Sequence, residues 1–137
     1  MKGIVLISHG DVAKGMAQAS TMFFGDPIDQ LTYCGLQPDD GPEEFGKRIG
    51  EAIAKVDTGE GVLVLTDLFG GTPSNQAIQH LGDGVDLIAG MNFPLLLELL
   101  GARLAGEVDV DTLLERGRSG IVDIKAALAK MMGEDDD

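Results

Sequence analysis

The chain has 137 residues and 44% hydrophobic content, enough for one domain with its own core, and no apolar stretch approaches the ~20 residues that cross a bilayer. Its net charge of −13 argues against nucleic acid, whose phosphates recruit Lys and Arg, and points instead to a basic protein partner, against the plainer reading that the charge only keeps the protein soluble. One lysine before a short apolar run, with no small-residue cleavage site, does not make a secretory leader, and the single cysteine, Cys34, has no internal partner, so a cytoplasmic protein is expected.

Ile4-Val5-Leu6-Ile7 predicts a first strand over 3–8, buried on both faces. Ser8-His9-Gly10 ends it, which leaves His9 at the strand's carboxyl end, with Gly10 in the turn. Val12, Met16, Ala19 and Phe23 recur at spacings of three and four and predict one helix face; Gly25 closes that helix and Pro27 prevents its continuation. A second strand is read at Leu31–Leu36, then a turn-rich loop over 37–42. Next comes a helix with Phe45, Ile49, Ala52, Ile53 and Val56 on its stripe, and with Glu43 and Glu44 in its first turn.

Val62–Thr66 is the clearest buried strand. After it, Asp67-Leu68-Phe69-Gly70-Gly71-Thr72-Pro73-Ser74-Asn75 predicts a turn into a short helix, with Thr72 as N-cap, Pro73 as first helical residue, Ala77, Ile78 and Leu81 on its face and Gly82 as its end. Val85–Ala89 is a fourth strand, Asn92 lies in the loop beyond it, and Pro94 opens a leucine-rich helix over 95–104. Residues 110–116 read as helix. The stretch 119–132 reads as helix, or 121–124 as a short edge strand, and 134–137 as an acidic disordered tail after a single domain, 1–133.

Strand and helix alternate four times, which predicts an α/β fold: an open, mainly parallel four-stranded sheet with helices on both faces. Such sheets bind ligands beyond the strands' carboxyl ends, where the strand order reverses. In the order 2-1-3-4, strands one and three are neighbours, so His9 meets Asp67 and the Gly70-Gly71-Thr72 turn. A neutral imidazole is a nucleophile near pH 7, and a carboxylate on one ring nitrogen fixes the tautomer and exposes the other. Glycines at a helix N-terminus offer N–H groups to an anion, and Thr72 adds a hydroxyl. Together these suggest phosphoryl transfer through a phosphohistidine.

Singly the signals are weak: Asp67 would suffice as a turn cap, and Gly70-Gly71 as a packing device. No Gly-Lys-Ser/Thr follows the glycines, and no dinucleotide fingerprint is present, so nucleotide binding is not expected. His80 reads as a surface or boundary residue, Cys34 as a packing residue and the methionines as core or tail, and no residue cluster has metal-ligand spacing.

Ile4 to Gly10, then Ala13, Gly15 and Met16, then Asp67 to Asn75, then Ala89-Gly90-Met91-Asn92-Phe93-Pro94 and Gly117-Arg118-Ser119-Gly120 resemble, in order and spacing, the enzyme IIA component of the mannose family of the bacterial phosphoenolpyruvate-dependent sugar phosphotransferase system. The resemblance implies that His9 accepts a phosphoryl group from the phosphohistidine of the carrier HPr. His9 then passes it to an enzyme IIB subunit, which phosphorylates sugar entering through the membrane subunits IIC and IID. It implies that Asp67 orients His9 and that Gly70, Gly71 and Thr72 hold the phosphate, with Gly10 and Asn92 nearby. It also implies a 2-1-3-4 sheet, a homodimer, and no cofactor, metal or nucleotide; in some members a C-terminal antiparallel edge strand crosses to the partner's sheet, which makes 121–125 a candidate for such a swap.

Three departures stand out. Thr72 replaces the common Ser and keeps the hydroxyl. Asp11 adds a second carboxylate near His9, either repelling a phosphoryl group or facing solvent. A fused IIB domain is not expected from a single domain of this length. Two other readings of the same fold are the phosphotransfer subunit of a dihydroxyacetone kinase and a regulatory phospho-acceptor domain without a DNA-binding segment.

Overall fold

Apolar runs and periodic stripes become strands and helices in a computed structural model that describes residues 1–133; the acidic tail at 134–137 lies outside the described residues. Four strands, β1 (Gly3–His9), β2 (Leu31–Leu36), β3 (Val62–Thr66) and β4 (Val85–Ala89), form one parallel sheet in the order β2-β1-β3-β4. In the register, Ile7 lies between Cys34 and Thr66, and His9 lies opposite Leu36. The helices are α1 (Val12–Phe24), α2 (Pro42–Val56), α3 (Gly71–Ile78), α4 (Phe93–Ala105), α5 (Val110–Ser119) and α6 (Ile124–Gly133).

Because side chains alternate across a strand, the central strands feed two cores. Ile4, Leu6, Leu63 and Leu65 pack with α1, α4 and Leu113 of α5; Val5, Ile7, Val62 and Val64 pack with α2 and with Ala77 of α3. Cys34 lies in the second core, as expected of a packing residue, and burial pushes its thiol pKa up. At the amino end of the sheet, away from His9, the buried Arg103 guanidinium donates to the carbonyls of Lys2, Asp29 and Gln30 at 3.1, 2.6 and 3.1 Å.

Three local expectations are corrected. The buried face of α1 is Ala13, Ala17 and Ser20, with Met16 and Phe24 partly buried, while Val12 and Phe23 are exposed. The helix is rotated about one residue from the predicted stripe. The Ala13 N–H donates to the Ser8 hydroxyl at 2.8 Å and pins the first turn, and small residues let the helix lie close to the sheet. In α3 the inward residues are Pro73, Ser74 and Ala77; Ile78 is half exposed, and Leu81 lies beyond the helix end. The strand read at 121–124 is not formed within the chain: Asp123 Oδ1 accepts the Ala126 N–H at 3.2 Å and starts α6, leaving no strand there to pair.

Candidate functional site

The site sits where β1 and β3 end side by side. His9 is the last residue of β1 and Asp67 the first after β3, so the pairing of the two strands brings together residues 58 apart in sequence. Asp67 Oδ2 accepts twice from His9, from the backbone N–H at 3.0 Å and from ring Nδ1 at 3.0 Å. Its Oδ1 accepts the Leu68 N–H at 2.9 Å and faces the buried Thr66 hydroxyl at 3.4 Å. Burial pushes the Asp67 carboxyl pKa up, but the bonds from His9 and Leu68 and the His9 charge outweigh it and hold it below the usual carboxylate range.

With Nδ1–H donated to the carboxylate, the neutral ring keeps its lone pair on Nε2. That nitrogen faces the start of α3: a Cβ added to Gly71 would lie 3.2 Å from it and 3.1 Å from Cε1. Gly71 also has φ +81°, where side chains are strained, so this position is reserved for glycine twice over. Gly70 is the cap of α3, with φ 108°, and no side chain caps the helix. Thr72 is therefore not the N-cap, and Pro73 is the third helical residue, not the first; the two glycines turn the chain into the helix earlier than the sequence suggests. The first N–H groups of a helix have no intrahelical partner, so Gly70, Gly71 and Thr72 present theirs here, and Pro73 has none to leave over. The arrangement can hold an anion against an imidazole nitrogen.

The β1–α1 turn is fixed against the end of β2. Gly10 N–H donates to the Leu36 carbonyl at 2.7 Å, and a Cβ on Gly35 would sit 2.1 Å from the Gly10 carbonyl oxygen, so only glycine allows this approach. Asn92 has other tasks. Its Oδ1 caps α4 through the Leu95 N–H at 2.9 Å, and its Nδ2 donates to the Gly117 carbonyl of α5 at 2.8 Å. His80, expected at a boundary, is half-buried and donates from Nε2 to the Gly46 carbonyl at 2.9 Å.

The sequence matches the family described as "PTS system fructose IIA component", EIIA-man, over residues 3–116. The chain belongs to the EIIA-man family. Components of this family are phosphotransferases of the sugar phosphotransferase system. The chain is 33% identical over 129 residues to the PTS system mannose-specific EIIAB component of Escherichia coli K12, a match spanning 90% of this chain but 39% of that longer protein. It is 30% identical to the fructose-specific EIIA component of Bacillus subtilis, over 75% of this chain and 71% of that one. The EIIA-man fold is also that of a PTS IIA protein associated with the fucose utilization operon of Streptococcus pneumoniae: TM-score 0.86, 30% identity, 93% of this chain and 96% of that one.

Sequence reasoning does not single out Ser8, Gln37, Leu68 or Phe69 as parts of this EIIA-man site. Ser8 is a buried hydroxyl that fixes the start of α1, and its signal is a polar residue ending an apolar strand. Gln37 donates to Asp11, a contact set by loop geometry alone. Leu68 and Phe69 are exposed beside the site, Phe69 by 90%, and two apolar residues in a glycine-rich turn are their mark in the sequence.

Proposed function

We propose that the chain is a phosphohistidine carrier of the sugar phosphotransferase system, with His9 as its acceptor. His9 receives a phosphoryl group from the phosphohistidine of HPr and passes it to an enzyme IIB subunit, which phosphorylates sugar arriving through the membrane subunits IIC and IID. The reading rests on one observation: Nδ1 of His9 is held by Asp67 while Nε2 faces the N-terminus of α3 across Gly71.

The step needs no proton to enter or leave. The Nε2 lone pair attacks phosphorus, the Nε2–P bond forms, and the donor's N–P bond breaks, its electron pair returning to the donor ring. Nδ1–H stays with Asp67, whose negative charge stabilises the cationic ring that forms. The N–H groups of α3 and the Thr72 hydroxyl take the phosphoryl oxygens.

Residues 1–133 act as one carrier domain in the cytoplasm; no helix among the described residues is long and apolar enough to cross a membrane. A homodimer fits the C-terminal segment: α6 has no buried residue, and Ile121, Ile124, Leu128 and Met131 are exposed. The sugar stays unassigned, because relatives carry the names mannose, fructose and sorbose.

Incubation with phosphoenolpyruvate, enzyme I and HPr should label the protein with an acid-labile, base-stable phosphate that IIB removes. His9→Ala should take none. Labelling of that variant at the wild-type level would place the acceptor elsewhere.

A further inference from the structure

We propose that Phe69 is the apolar anchor on which the protein carrying the donor phosphohistidine docks. The inference rests on the phosphocarrier reading and names the surface which that reading requires.

Single apolar residues in water are ordinary on a protein surface, so exposure alone assigns nothing. Phe69 is distinguished by where it is held. It is the most exposed large apolar side chain among the described residues. A Cβ on Gly71 would lie 3.2 Å from His9 Nε2, and Phe69 precedes Gly71 by two residues, so the Phe69 Cα lies within about 12 Å of that nitrogen. Its loop is fixed on both sides. The Leu68 N–H donates to Asp67 Oδ1 at 2.9 Å, and Gly70 and Gly71 turn the chain at φ 108° and 81°. A ring on such a loop has little backbone freedom left to lose when a partner covers it.

The transfer step decides what covers the ring. Passing a phosphoryl group from one histidine to another puts the phosphorus between the two imidazoles, so the donor protein lies on the surface around Nε2. Even a small protein interface, about 600 Å² on each side, spans a disc about 14 Å in radius. A donor seated over Nε2 therefore reaches Phe69.

That surface has unlike flanks. On the β2 side lie the exposed Asp11, which accepts from Gln37, and the exposed Asp39, in a chain of net charge −13. On the α3 side lie the exposed Leu68 and Phe69. The occupant that fits is a donor with basic side chains on one side of its phosphohistidine and an apolar depression on the other. Aromatic rings are enriched among the few residues that dominate such contacts, because they cover much area with few torsions to fix.

The test uses the full chain and reads the Kd for HPr by calorimetry and the limiting rate of transfer from phospho-HPr by rapid quench. Phe69→Ala should weaken binding at least about five-fold and leave the limiting rate within about two-fold of the wild type. Phe69→Trp keeps a ring and should bind within about two-fold of the wild type. The weakening by Phe69→Ala should be of equal size at about 0.02 M and about 0.3 M salt, because screening acts on charges and not on apolar contact. Met22→Ala removes a comparably exposed side chain from the far end of α1 and should change neither readout. An unchanged Kd for Phe69→Ala overturns the proposal. So does a limiting rate that falls while Kd holds, which would make the ring a cover over the phosphoryl group. A change of assembly mass in Phe69→Ala by light scattering would assign the ring to a second copy of the chain, and also overturns it. If wild type itself takes no label on His9, the phosphocarrier reading fails first, and this outcome is distinct from the others.

Discussion

Asp67 is held as firmly as it holds. One oxygen takes two bonds from His9, and the other takes the Leu68 N–H beside a buried hydroxyl, so little freedom remains to turn the imidazole. Each charged bond of this kind contributes about 1.5–3 kcal/mol when its partner is lost without replacement. Asp67→Asn retains one acceptor oxygen, so a loss of about 1 kcal/mol at pH 7 is expected. The pH dependence comes from the direction of the shift. The folded-state pKa of Asp67 lies below its unfolded value, so its contribution is present above the ordinary range near 4 and is lost as pH falls through the folded value. Denaturant unfolding at pH 7 and pH 3 should show the gap between wild type and Asp67→Asn closing at the lower pH. A gap of equal size at both would mean that the carboxylate charge contributes nothing.

At the scale of elements, the helices that face the sheet are legible to different degrees. The α2 stripe, Phe45, Ile49, Ala52 and Val56, is buried as the sequence predicts, because large apolar residues at helical spacing leave one choice of face. The α1 stripe misleads because its inward residues are small, and Ala13, Ala17 and Ser20 carry little hydrophobic signal. The start of α3 escapes a reading by side-chain caps because two positive-φ glycines turn the chain there. The meeting of His9 with Asp67 is legible because it needs only the strand order, whereas the Gln37–Asp11 bond depends on loop geometry that no periodicity encodes. Asn92 tests the division between site and scaffold. Asn92→Ala removes a cap and a bond to α5, and should lower stability by about 1–2 kcal/mol in chemical denaturation while His9 labelling at 25 °C stays at the wild-type level. A loss of labelling with stability intact would return Asn92 to the phosphate site.

At the scale of the molecule, the residues of both buried cores lie before residue 121, and the segment beyond that point is an exposed helix with apolar side chains. The order β2-β1-β3-β4 leaves β4 at an edge, next to the point where that segment leaves the body. Light scattering should give twice the 14.4 kDa chain mass for the full protein. A chain ending at Gly120 should run as a monomer that still takes phosphate on His9. A full-length monomer would remove the dimer from the reading.

The tight approach of the Gly35 backbone to the Gly10 carbonyl has a further consequence, for genetics. With His9 as the proposed acceptor, a selection scored only on sugar uptake should return Gly35 alongside His9, although Gly35 has no part in the proposed transfer. Ranked by chemistry, that hit has no explanation; ranked by the space a methyl group needs, it is among the first expected.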